Sequence, residues 1–236
     1  MKIGIISSLP EAIGDTLKYG VVRRVFERGQ VEMHVADLRK FAKRIDDSPY
    51  GGGKGMVIKY QPVKDAIDYL SPLVNQDVFI YPSPSGKPLN QEMVKSWMGK
   101  NILFLCGRYE GVDQRIIDKY VDVEVSVSDV ILSGGELPTA MILDSIFRLM
   151  PGVLGNALSL SDESFEDNLL GCPVYTRPYE VDKMKVPDVL LSGHHAEIER
   201  WKMKERISKT SSNRKDLLSK YKQRKIIDNE TSKIHT

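Results

Sequence analysis

Arg108, Tyr109 and Glu110 sit between Gly107 and Gly111, directly after the apolar run 102–106, and further on Gly134 and Gly135 stand just ahead of Glu136 and Pro138. Without a Cβ, glycine lets bare backbone come close to a flat, polar ligand. A turn of related character, Tyr81, Pro82, Ser83, Pro84 and Gly86, ends another apolar run, and its two prolines around a serine make it stiff. A third segment, Val127, Ser128, Asp129, Val130, Ile131 and Leu132, leads from an alternating run into the Gly134–Gly135 pair. The three loops starting near Tyr81, Gly107 and Val127 each follow a strand-like stretch. Ligands of open α/β sheets lie outside the strand C-termini, so this pattern predicts a cofactor cleft.

Other residues with chemical potential are less decided by their spacing. Residues 46–56, DDSPYGGGKGM, carry three consecutive glycines, which suit neither a helix nor a strand interior. The GxxxxGK[ST] phosphate loop is missing there. Either a plain flexible connection or a loop closing over a substrate with Asp46, Tyr50 and Lys54 would explain it, and the length of the glycine cluster favours the second. Arg148 lies in a helical stretch that is apolar on most sides, and it must find a partner or reach back to solvent. Residues 158–168 are acidic and aperiodic, with Asp162, Glu163, Glu166 and Asp167 beside Ser164. By itself that composition reads as a solvated linker. His194, His195 and Glu197 do not make the HExxH zinc pattern and suit capping or packing. Cys106 and Cys172 have no CxxC spacing, which argues for reduced thiols, a cytoplasmic protein and no metal site.

The elements that must position these groups alternate. Residues 2–8 form an apolar strand, 11–28 a helix interrupted at Gly20, and 31–36 a second strand. Pro62 opens a helix over 61–70, then strand 77–81, helix 91–98, strand 101–106, a short helix, an alternating strand and an apolar helix over 138–150 follow. That βα alternation predicts an α/β fold with a largely parallel sheet. Beyond the linker, prolines keep the chain extended before a helix starting near Ser192. A second basic helix is expected over 213–225, capped by the hydroxyls of TSS, with a frayed tail after Asp228. The chain of 236 residues is long enough to bury a sizeable core and contains no apolar run long enough to span a bilayer. Between Arg200 and Thr236, 12 Lys and Arg face 4 Asp and Glu, while the remainder is net acidic. A basic segment on an acidic body suits a polyanion, and charge alone leaves a solubilising tail equally open.

Taken together, GIIS, DDSPYGGGKGM, YPSPSGKPL, LCGRYEGVDQR, SVSDVILSGGELP, DSIFRLMPGVLG, CPVYTRP and VPDVLLSGHHAEIERWK resemble the bacterial tRNA (guanine-N-1)-methyltransferases, the TrmD family of the SPOUT class. The matches run in order over residues 1–209. The resemblance implies a SPOUT-type α/β domain with a C-terminal trefoil knot (residues 1–157), a linker (158–168) and a small helical, tRNA-binding domain (169–236). It also implies an obligate homodimer with the site at the interface and the apolar helix 138–150 in the dimer core. The implied reaction moves the methyl of S-adenosylmethionine to N-1 of the guanosine 3′-adjacent to the tRNA anticodon, position 37. The family's catalytic Arg falls on Arg148. Its catalytic base is usually Asp before Ser-Phe; here Glu163 stands there, with Asp162 one position back as the substitute. Ser128 stands where the family tends to have Gly, and Lys54 where it tends to have Pro. The acidic linker then becomes a catalytic segment that orders when tRNA arrives. The resemblance also implies use of magnesium, for which the sequence offers no carboxylate cluster. A SPOUT enzyme acting on ribosomal RNA and a non-catalytic RNA-binding protein are the alternatives; no GxGxxG follows the first strand to support a nicotinamide enzyme.

Overall fold

The apolar runs of the N-terminal half pair side by side without a reversal, as their alternation with helices predicts. The computed structural model describes residues 1–155 and 163–234, with residues 228–234 as backbone only. It divides into two units, Met1–Gly155 and Asn156–Thr236. The first contains β1 (Lys2–Ser7), α1 (Glu11–Leu17), α2 (Arg24–Glu27), β2 (Glu32–Asp37), the short strands β3 (Asp46–Asp47) and β4 (Val57–Ile58), and α3 (Tyr60–Val74). It continues through β5 (Val78–Pro88), α4 (Gln91–Ser96), β6 (Ile102–Leu105), α5 (Gln114–Tyr120), β7 (Val123–Ser126) and α6 (Glu136–Phe147). The main sheet has the order β2-β1-β6-β5-β7, and every neighbouring pair is parallel.

The two central strands explain why the runs are apolar throughout. All four residues of β6 are fully buried, and so are Ile3, Ile5 and Ile6 of β1. A strand covered on both faces has no solvent side on which to place polar residues. Phe79, Tyr81, Leu103 and Leu105 join Leu70 and Val74 of α3 and Ile116 of α5 in one core. Each such side chain contributes about 1.5–3 kcal/mol by leaving water. Elsewhere α1 and α4 both pack on α6, and Phe26 meets Phe147 edge-on at 5.7 Å.

Three local details differ from the sequence expectation. The helix expected over 11–28 is two, because Gly20 adopts φ 69° and a 3-10 turn, Val21–Arg23, intervenes. The helix expected to stop at Leu70 runs to Val74, where Asn75 takes a left-handed φ of 48° and bonds Ser71 O at 2.8 Å. Most consequential is the PSPSG turn. Pro82 and Lys87 both lie opposite Val125, so β5 leaves β7, makes an excursion over residues 83–86, and returns to the same strand. Prolines are tolerated there because the excursion needs no ladder donors.

The second unit holds a hairpin of β8 (Glu180–Val181) and β9 (Met184–Lys185), then α7 (His195–Asn213) and α8 (Lys215–Ile234). His194 is the N-cap of α7 through its backbone carbonyl, which accepts from Glu197 and Ile198 at 2.9 and 3.0 Å. The TSS hydroxyls do not cap a second helix as expected, because α7 continues through them to Asn213. Thr210 is instead fully buried: its hydroxyl donates to Arg206 O at 2.7 Å and accepts from Leu170 N at 2.9 Å. The backbone of α8 stays helical past Asp228, to Ile234.

Thr210 therefore ties the segment after Glu163 to α7. Thr210→Val keeps the shape but removes the acceptor of the Leu170 N–H. Denaturant unfolding should report a loss of about 1–3 kcal/mol, the cost of an unsatisfied buried donor; an unchanged midpoint would show that Leu170 does not depend on it.

Candidate active site

The loops after β5, β6 and β7 converge at the C-terminal end of the sheet around one cavity of about 630 Å³. Of the residues that sequence reasoning put in the cleft, Tyr81, Pro82, Ser83 and Pro84 line it from the first loop. Gly107 to Gly111 line it from the second, and Val127, Ser128, Val130, Ile131, Leu132, Gly134, Gly135 and Pro138 from the third. Gly86 and Asp129 do not line it. Asp129 is exposed, and Gly86 serves the strand pairing: a Cβ there would stand 2.3 Å from Val125 N. Gln114 and Ile117 of α5 and Glu124 of β7 are among the further lining residues, and only their proximity to the loops could have pointed to them in the sequence.

Two further glycines set how closely the loops approach. A Cβ on Gly107 would fall 2.7 Å from the Tyr81 hydroxyl, and one on Gly135 would fall 2.9 Å from Cys106 Cα. With both side chains absent, Gly135 N–H donates to Gly107 O at 2.8 Å and Arg108 bridges to Gly134. The cavity is thus framed by closely held loop backbone together with the polar side chains of Arg108, Tyr109, Glu110, Gln114 and Glu124 and the apolar ones of Val130, Ile131 and Leu132. That is the surface needed to hold a planar heterocycle together with a short polar chain.

Behind it lies a charge that sequence reasoning missed. Glu136 is only 4% exposed; it accepts from the Ser7 hydroxyl at 2.7 Å and faces the Arg108 guanidinium at 3.3 Å. A carboxylate so buried persists only with such partners. Its place in GGELP, directly after two glycines at a helix start, was the available signal. Burial also pushes the Cys106 thiol and the Tyr81 phenol up to about 12 each. Both therefore remain neutral at physiological pH, Tyr81 as part of the cavity lining and Cys106 fully buried in the core.

The glycine-rich stretch 46–56 is a hairpin loop, its base formed by β3 pairing antiparallel with β4. Its closing side touches the cavity loop: Glu110 N–H donates to Met56 O at 3.0 Å, and a Cβ on Gly55 would strike the Glu110 side chain. Tyr50 at the tip is fully exposed.

Arg148 is half-buried at the C-cap of α6, its N–H bonded to Asp144 O at 3.0 Å. Glu163 is half-buried in the second unit, beside Ser164, whose hydroxyl accepts from Gly171 N at 2.9 Å. Phe165 takes a left-handed φ of 78°. That conformation is costly for an aromatic residue; it is held by its N–H to Leu169 O at 2.9 Å and by Arg206 gripping Asp167 at 2.5 Å. Asp162 lies outside the described residues. Among the described residues no three His, Cys, Asp or Glu side chains converge as metal ligands. Among the same residues no helix is long and apolar enough to cross a membrane.

A family model described as tRNA (Guanine-1)-methyltransferase TrmD matches residues 1–220. The chain belongs to this family. Relatives named tRNA (guanine-N(1)-)-methyltransferase include one from Borrelia duttonii (strain Ly), 45% identical over 94% of both chains. Another, from Flavobacterium johnsoniae, is 43% identical over 94% of this chain and 100% of its own length. One from Clostridioides difficile (strain 630) is 42% identical over 93% of this chain and 98% of its own. The parallel five-stranded sheet is the α/β core expected of a TrmD member.

Two measurements test this architecture. Gly135→Ala should lower the stability of the first unit by about 1–3 kcal/mol, because backbone and not a flexible side chain must yield; an unshifted denaturant midpoint would show the contact to be soft. The raised Cys106 value stabilises the fold fully below the ordinary thiol value of 9.0, and that contribution disappears as pH rises through about 12. The unfolding midpoint should accordingly fall from pH 9 upward, and Cys106→Ala should flatten the onset of that fall.

Proposed function

We propose that this chain is an S-adenosylmethionine-dependent methyltransferase acting on N-1 of the guanosine 3′-adjacent to the tRNA anticodon. The observation that carries the reading is the family match over residues 1–220, on a chain whose three strand-end loops surround one cavity. That cavity suits a nucleoside with an amino-acid arm. The sulfonium of the bound donor supplies an already activated methyl.

The chain's own residues must then do three things. The loop backbones fix the donor so that the acceptor nitrogen meets the methyl carbon in line, which lowers the entropic part of the barrier. Guanine N-1 carries a hydrogen and is a poor nucleophile until that proton leaves. Glu163 takes it, as general base, with Asp162 as the substitute. As the N-1–methyl bond forms, the carbon–sulfur bond breaks and its electron pair stays on sulfur. Arg148 stabilises the negative charge that gathers on the guanine oxygen.

The first unit serves as the donor domain, with its strand-end loops interlocked as the family's trefoil. The acidic stretch 158–168 contributes the catalytic base, and the basic helices α7 and α8 grip the tRNA backbone. The active form is a homodimer in the cytoplasm. Leu137 and Met141, one turn apart on α6, are 57% and 49% exposed, and Ile131 beside the cavity is 82% exposed. Apolar groups left open on an otherwise buried helix suit a subunit interface.

Purified protein with labelled S-adenosylmethionine should methylate tRNA carrying that guanosine and not tRNA lacking it. Labelling of ribosomal RNA, or of no RNA, would refute the reading. Glu163→Gln should abolish transfer while calorimetry shows donor binding intact; full activity would move the base elsewhere.

A further inference from the structure

Next to the donor cavity the structure forms a second one, of about 420 Å³. Arg108 and Tyr109 line both, so the two share a wall. The rest of the second cavity brings three cations, Arg39, Lys43 and Arg44, together with the carboxylate of Asp46 and a few small or apolar side chains. We infer that this groove binds a backbone phosphate of the RNA strand whose guanine enters the donor cavity. The inference rests on the methyl-transfer reading above and adds a grip, within the first unit, that the basic helices do not supply.

Three observations carry it. First, the lining is prepared. Arg39 is clamped by Asp37 at 2.9 Å and reaches Glu11 at 3.5 Å, while Arg108 is clamped by buried Glu136. Their guanidinium groups are held before any ligand arrives, so ordering them costs a ligand little. Second, one charge is uncommitted: Lys43 is exposed and has no ion pair among the described residues, while Arg44 meets Asp46 only at 3.5 Å. A phosphate is what such a cluster lacks, and arginine forks match its oxygens. Third, the shared wall carries an aromatic. Tyr109 is 56% exposed with φ 62°, on the loop between the two cavities. A base beside the bound phosphate stacks there, which is a sequence-tolerant contact. The span of a shared wall suits adjoining nucleotides of one strand, phosphate on one side and target base on the other.

The test uses the full-length chain with Lys43→Ala, Arg44→Ala and the double variant, assayed for methyl transfer at several salt concentrations. The KM for tRNA should rise about tenfold in the double variant, and the slope of log affinity against log salt should become shallower by about 0.7 for each phosphate no longer neutralised. Donor affinity by calorimetry should hold. Lys43→Arg with Arg44→Lys should restore the tRNA KM, which a merely structural role would not require. Lys18→Ala, an exposed cation on the C-cap of α1, is the control and should change neither quantity. An unchanged KM and salt slope in the double variant, with wild type methylating tRNA, would overturn the groove but leave the methyl-transfer reading standing. Millimolar inorganic phosphate binding to wild type and not to the double variant, with tRNA KM unaltered, would overturn the RNA assignment in favour of a free anion. Wild type inactive on tRNA would remove both.

Discussion

Everything at this site depends on how closely three stretches of backbone can approach one another. Gly86 runs against Glu124 and Val125, Gly107 against the Tyr81 ring, and Gly135 against Cys106 and Gly107, each at a distance that a methyl group would close. Only with those positions bare can β5 return to β7 after its excursion and the third loop hydrogen-bond to the second. The cavity is the space left when these backbones are held together, and the side chains that line it, from Tyr81 and Arg108 to Ile131 and Leu132, are placed by that approach. A ligand bound there is recognised mainly by hydrogen bonds to groups whose positions the sheet already fixes.

Close approach creates an electrostatic demand, and Glu136 meets it. Three loops that present peptide groups to a cavity need a rigid back wall, and the start of α6 supplies one. Glu136 links that helix to β1 through Ser7 and to the second loop through Arg108. The same carboxylate therefore sets the position of an arginine that faces two cavities. Burying a charge for this purpose is expensive, and the partners offset the cost only if all remain in place. That makes the geometry behind the cavity all-or-none rather than adjustable. The Cys106–Thr139 contact at 3.3 Å sits in the same layer and is neutral, so nothing in it competes with Glu136 for Arg108.

Most of the sheet was legible because its strands are short, apolar and separated by helical periods. The three cavity loops were legible because glycine and proline mark them. What was not legible has a physical reason in each case. The return of β5 beyond Gly86 depends on pairing with β7, a strand well separated along the chain, which local pattern cannot report. Thr210 looked like a capping hydroxyl, since TSS before a basic run is a common helix start, but burial against Leu170 recruited it instead. Glu136 looked like an acidic residue at a helix N-terminus, and only the long-range Ser7 contact reveals it as a buried link. The groove with Lys43 and Arg44 was invisible for the same reason: those two come from one loop, and Arg108 and Tyr109 from another far along the chain. The catalytic assignments stand differently again. The roles of Arg148 and Glu163 came from resemblance: local pattern marked Arg148 only as a charge in an apolar helix and Glu163 only as one carboxylate of an acidic stretch.

The division of the chain into two units matches a division in the proposed chemistry. Holding a methyl donor asks for rigid, pre-formed backbone, because the donor's reactivity is intrinsic and only its placement has to be supplied. The first unit provides that in its glycine-tied loops. Removing a proton from guanine asks for a carboxylate that meets one particular base, which is known only once RNA is bound. Glu163 sits on the second unit, in a turn fixed locally by Ser164, Asp167 and Arg206 but belonging to the unit that carries the basic helices. Under the proposed mechanism the base belongs to the unit proposed to hold RNA, so deprotonation is coupled to RNA capture and not to donor binding. In that scheme a donor held without RNA faces no activated nucleophile, and readiness is separated from reaction because the two requirements fall on different units.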